Sequence, residues 1–131
     1  MNNDLNQSMK TNSYIRVRTD FEGYHCYPGA GQIDDRIKFL EHPHRHLFKV
    51  EVTISVSDDN RQLEFFLVKW ALNDFIGSQK NFENQSCEMM ARRILVDFLI
   101  PSFGSQRSYT VTVSEDGEND GIIEYTPSLD E

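Results

Sequence analysis

From His44 to Val56 apolar side chains recur at every second position: Phe48, Val50, Val52, Ile54 and Val56 share one face, and Leu47, Lys49, Glu51 and Thr53 the other. A period of two is the repeat of a β-strand with one face against a core. An earlier run alternates likewise, with Ile15, Val17, Thr19 and Phe21 opposed to Tyr14, Arg16 and Arg18, so residues 14–21 read as a second half-buried strand. All four histidines lie between positions 25 and 46. His44 and His46 are spaced i, i+2, so their imidazoles leave the strand on one side, continuing its apolar face at the N-terminal end. His25 follows just past the end of the first strand, and a hairpin would bring the three together. Three imidazoles with a fourth position open is a catalytic or ligand-binding zinc arrangement, because structural zinc sites are usually closed by four ligands rich in cysteine. His42 precedes Pro43 and falls before the strand settles, so its first reading is a loop residue.

The remaining chain completes an α+β pattern. YPGAGQ (Tyr27 to Gln32) holds Pro and Gly residues that predict a loop without regular structure. SDDN (Ser57 to Asn60) is a turn. After Gln62 to Phe66 the period becomes helical through Leu67, Val68, Ala71, Leu72, Phe75 and Ile76, and Gly77 is placed to end that helix. A polar link, SQKNFENQ, leads to a second helix from about Ser86 to Ile100, with Ser86 as N-cap, Glu88 in the first turn, and Met90, Ile94, Leu95, Phe98 and Leu99 as one stripe; Pro101 should stop it. Tyr109, Val111 and Val113 alternate with Thr110, Thr112 and Ser114, and DGENDG (Asp116 to Gly121) should turn into a last strand, Ile122 to Tyr125. The order is ββααββ, which implies a four-stranded antiparallel sheet covered on one face by two helices.

Length and charge bound the function. At 131 residues the chain is one domain by its size, read as residues 13–126 between polar tails, 1–12 and 127–131, that lack an apolar period. A formal charge of -8 with no basic stripe argues against nucleic acid as a partner, since phosphate binding rests on clustered Lys and Arg. Two cysteines, Cys26 and Cys87, form no CxxC pair, so neither a disulfide framework nor a cysteine-rich zinc module is expected. With no apolar run long enough to span a bilayer and a polar N-terminus, the expectation is a cytoplasmic, reduced protein without a membrane partner.

Five segments, in order, resemble the tunnelling-fold family typified by 6-pyruvoyl-tetrahydropterin synthase and by the 6-carboxy-tetrahydropterin synthase of queuosine biosynthesis: FEGYH (21–25), HRHLFKVEV (44–52), EFFLVK (64–69), SCEMMA (86–91) and VTVSED (111–116). HRH stands where the family has HGH, with Arg45 for the usual glycine. The resemblance implies that His25, His44 and His46 bind Zn2+ and that the zinc holds side-chain oxygens of a dihydropterin, of the dihydroneopterin triphosphate type. Proton abstraction and elimination would follow, making the protein a carbon-oxygen lyase. Glu115 would accept paired N–H bonds from a pterin or guanine-like ring. It also implies a barrel closed by several copies, a homo-oligomer and in particular a hexamer.

The chain departs from that pattern at the proton-transfer groups. Where the family places a cysteine shortly before the paired histidines, this sequence has Lys38 and Leu40, and no histidine follows His46. Cys26, beside a proposed ligand, and His42, near the zinc strand, are the substitute bases it offers. Cys87, at a helix N-terminus, is also placed for a lowered pKa, but reads first as a packing residue. A protein that binds a pterin, guanine-like base or nucleotide without turnover is the alternative function.

Overall fold

The computed structural model describes residues 9–128 apart from 80, 81 and 83. Residues 1–8 and 129–131 of the expected tails, and three residues of the polar link, thus lie outside the described residues. Strand β1 (Ser13–His25) and strand β2 (His44–Val56) form a long antiparallel pair, and β3 (Tyr109–Glu115) and β4 (Asn119–Tyr125) complete one sheet in the order β1-β2-β3-β4. Helix α2 (Phe65–Ser78) and helix α3 (Cys87–Arg93) connect β2 to β3. Between β1 and β2 lie a single turn, α1 (Ala30–Ile33), and a 3₁₀ segment, Asp35–Glu41.

The four-stranded antiparallel sheet and the α+β class agree with the sequence, whereas several boundaries move. β1 runs four residues beyond Phe21, because Phe21 to His25 stay paired with Phe48 to His44, and pairing outweighs the weak strand preference of Gly23. The expected loop at 27–32 is partly helical. Gly29, at φ 83, turns the chain into α1, and the Glu41 carboxylate accepts the Gly31 N–H at 2.8 Å, tying that turn to the 3₁₀ segment. Pro101 does not stop the second helix. From α3 the chain passes into a π-helical segment, Ile94–Leu99, where the Ile100 N–H reaches five residues back to Leu95, and then into α4 (Ile100–Phe103). Pro101 falls in the first turn of that last piece, where its missing N–H costs little, and Gly104 at φ 106 ends the helix. The last hairpin is tighter than expected: Asp116 and Gly117 both have positive φ, Glu118 N–H donates to Glu115 C=O, and residues 119–121 belong to β4.

The core lies between one sheet face and the helices. Phe48, Val50, Val52, Ile54, Tyr109, Val111 and Val113 meet Val68 and Leu72 of α2, Met90 of α3, and Ile94, Leu95 and Leu99 of the π-helical segment. Helix α2 packs on β1, and α3 on β3 and β4. Glu64 caps α2 by accepting from Phe66 and Leu67 N–H groups, and Ser86 caps α3 by accepting from Met89 N–H at 3.2 Å. Leu67 is exposed rather than part of the buried stripe, since a cap at Glu64 turns Val68, Leu72 and Ile76 inward and leaves Phe66, Leu67 and Trp70 outside. At the end where β1 meets β2, this layering leaves the odd positions of β1 and the even positions of β2 above Phe48, which is where the histidines stand.

Candidate metal centre

His25 and His44 are directly opposed across the β1–β2 pair, and Gly23 faces His46. The three ring centroids form a triangle with sides of 4.7, 5.0 and 5.0 Å, and the ring planes cross at 72° to 87°. Rings meeting edge-on in this way converge on a shared point and do not stack. Phe48 is the floor, 5.1 Å from His25 and 5.5 Å from His46. Gly23 makes room for that floor: a Cβ there would approach the Phe48 ring to 3.1 Å. Glu115, at the end of β3 and paired with Phe48, brings its Oε2 to 2.7 Å from His25 Nε2 and 3.5 Å from His46 Nε2. One donor atom from each of His25, His44, His46 and Glu115 lies within 4.8 Å of all the others.

The outer hydrogen bonds fix what those atoms are. His25 Nδ1 is 2.9 Å from the Gln85 carbonyl, His44 Nδ1 is 2.8 Å from the His42 carbonyl, and His46 Nδ1 is 2.7 Å from Asp116 Oδ2. All three partners are acceptors, so each Nδ1 carries the hydrogen and donates it. In a neutral ring each Nε2 is then a bare lone pair. His46 Nε2 is fully buried and has no hydrogen-bond partner among the described residues, and His25 Nε2 faces a carboxylate oxygen. Imidazole nitrogens and a carboxylate gathered without a donor between them make a group that could hold a cation, either shared protons or a metal. The donor set, three imidazoles and one oxygen with carbonyl and carboxylate partners behind them, fits zinc chemistry.

Asp116 is the residue that sequence reasoning missed. Its Oδ2 accepts from His46 and its Oδ1 from the Leu47 N–H at 2.8 Å, while its own N–H donates to the Leu47 carbonyl. The His46 hydrogen bond, and then that of Leu47, hold its carboxyl below the ordinary value of 3.8. A depressed carboxyl stabilises the fold above 3.8 and loses that contribution only as pH falls through the lower value, so Asp116 is an anion at neutral pH. Asp116→Asn leaves one carbonyl oxygen for two donors and turns an NH2 group toward the other. It should weaken zinc binding by about 10–100-fold, measured by competition with a chelator.

A cleft of about 220 Å³ opens beside the cluster, lined among others by His25, Cys26, His44, Gln85, Cys87 and Glu115. Cys26 is in the cleft wall, its thiol donating to Asn84 Oδ1 at 3.0 Å. The His42 side chain is exposed, and what it gives the cluster is its backbone carbonyl, so its ring is not brought to the metal-binding atoms. Leu40, at one of the positions where the family carries its cysteine, also lines the cleft. The lowered pKa that a helix N-terminus suggested for Cys87 is reversed. Burial, then the charges of Glu115, Glu88 and Asp120, push its thiol up to about 12. Both cysteines are free thiols, and Cys26 is the less buried. With limiting iodoacetamide at neutral pH, peptide mapping should find Cys26 carbamidomethylated well before Cys87. Compared with protein-family models and with curated proteins, the chain matches none. No helix among the described residues is long and apolar enough to cross a membrane.

Proposed function

We propose that this chain is a zinc-dependent protein of the tunnelling fold that acts on a dihydropterin, as a lyase of the 6-pyruvoyl- and 6-carboxy-tetrahydropterin synthase type. The observation that carries the reading is the set of three Nε2 lone pairs and the Glu115 carboxylate facing one point, with every Nδ1 committed to an acceptor behind it. His25, His44 and His46 are the residues to hold the ion, which when bound supplies Lewis acidity to side-chain oxygens of the substrate and eases proton loss at the adjacent carbon. Glu115, reaching both cluster and cleft, accepts the N–H groups of the heterocycle and orients it. Cys26, in the same cleft, is the group to take the proton as its thiolate, the form reached once the hydrogen that its thiol donates to Asn84 has been lost to solvent. β1 and β4 are the two edges of the sheet, the strands through which further copies extend it into the barrel of a homo-oligomer, up to a hexamer. The two free thiols suit a reducing cytoplasm.

Zinc-loaded protein incubated with 7,8-dihydroneopterin triphosphate should release inorganic triphosphate or acetaldehyde, and Cys26→Ala should slow that release by about two to four orders of magnitude. Absence of either product from protein shown to hold one zinc per chain would overturn the lyase reading. Binding without turnover is the second reading, favoured by the exposure of the His42 ring and by the engagement of the Cys26 thiol with Asn84. Native mass spectrometry of protein purified from cells should then find an intact pterin or guanine-like ligand.

A further inference from the structure

The metal site and Glu115 leave one polar atom of the cleft unexplained. Gln85 stands between the two halves of the site: its backbone carbonyl accepts from His25 Nδ1, and the residue lines the cleft together with Glu115. Its Oε1 is fully buried and has no hydrogen-bond partner among the described residues. A buried acceptor left unpaired costs free energy, and the cost is recovered when a ligand brings a donor. The rest of the lining has the same polarity. Glu88, Glu115 and Asp120 contribute carboxylates, the Asn84 oxygen is already used by Cys26, and no Lys or Arg among the described residues lines the cleft. Away from the metal-binding histidines, a lining with several acceptors and no Lys or Arg favours a neutral or cationic group rich in N–H donors over a phosphate.

We infer that Gln85 Oε1 is a second recognition acceptor beside Glu115, that the ligand presents a donor-rich N–H edge to both, and that any phosphate chain it carries points out of this cleft. The inference rests on the heterocycle-binding reading above and names a residue and a polarity that the reading does not contain. Glu115 satisfies a pair of adjacent donors, whereas Gln85 calls for a further one. A ring that offers acceptors at that edge would set both of these oxygens against its own lone pairs.

The test is equilibrium binding of neopterin and of neopterin triphosphate to the zinc-loaded full chain, followed by ligand fluorescence. Gln85→Leu should weaken both ligands by the same factor, about tenfold or more, because the phosphates lie outside the cleft. Zinc content should stay at one per chain, since the backbone carbonyl that holds His25 is unchanged. Without ligand, the variant should melt at or above the wild-type temperature, as it removes an unpaired acceptor. Gln85→Glu, which keeps an acceptor, should restore neopterin binding. Unchanged affinity in Gln85→Leu, or a preference of the wild type for the triphosphate over neopterin that disappears in that variant, overturns the inference alone. Failure of both pterins to bind the zinc-loaded wild type overturns the heterocycle reading together with it.

Discussion

Replacing His44 with alanine is expected to abolish zinc uptake while leaving the sheet folded. His44 is the first residue of β2, only half buried, its ring meets the other two imidazoles, and it is not among the residues of the hydrophobic core. Deleting it removes one of three nitrogen donors and leaves His25, His46 and Glu115 as an incomplete set. Loss of an outer hydrogen-bond partner alone costs about 10–100-fold in affinity, so loss of a donor should exceed about 100-fold. Metal analysis after dialysis should fall from one zinc per chain to near zero. Under the proposed function added zinc should raise the melting temperature of the wild type and not that of the variant, because the stabilisation follows the dissociation constant. Zinc content equal to wild type in His44→Ala would sink the proposed coordination. Glu115→Gln gives the complementary result: under the proposed function it keeps its zinc and loses the heterocycle, whereas loss of zinc would make Glu115 a fourth ligand and close the site.

The second large effect is expected at Gly121, which lines the cleft from β4. This residue pairs with Val113 in the β3–β4 ladder and lies against the start of α3. A Cβ built on it would be 2.5 Å from the Glu88 amide nitrogen, 2.7 Å from the Cys87 carbonyl carbon and 2.8 Å from the Cys87 Cβ. Two of those atoms are backbone, which cannot rotate away. Gly121→Ala must therefore push strand and helix apart, at an expected cost of about 2–3 kcal/mol. In a domain of this size that corresponds to a fall in melting temperature of roughly 8–12 °C. Ser86, Cys87 and Glu88 also line the cleft, so ligand binding should weaken with stability. Gly77→Ala is the control. Nothing lies within 4 Å of a Cβ there, and alanine in that helix should be neutral or stabilising by about 0.5–1 kcal/mol. Equal melting temperatures for Gly121→Ala and wild type would show that β4 can move away from α3 without cost.

Much of this architecture is written in local periodicity. Alternation at residues 14–21 and 44–56 reports strands, the buried stripe from Met90 to Leu99 reports a helix, and Ser86 announces its start, because each signal depends on neighbours within a few residues. The i, i+2 spacing of His44 and His46 likewise fixes a shared face whatever the partner strand does. The ends of elements were less legible. β1 continues through Gly23 because β2 lies beside it, and the helix passes Pro101 because a π-helical segment shifts its hydrogen-bond register first.

What the sequence alone determined is the class of the main elements, four strands and the helical stretch between the second and third, and the side from which two imidazoles project. Only the tertiary structure decided that His25 stands opposite His44, that Asp116 reaches seventy positions back to His46, and that Gln85 both holds His25 through its carbonyl and lines the cleft. Those relations are set by strand register and by where a helix starts on the sheet. Register and docking are properties of pairs of segments distant in the chain, and no periodicity within either segment encodes them.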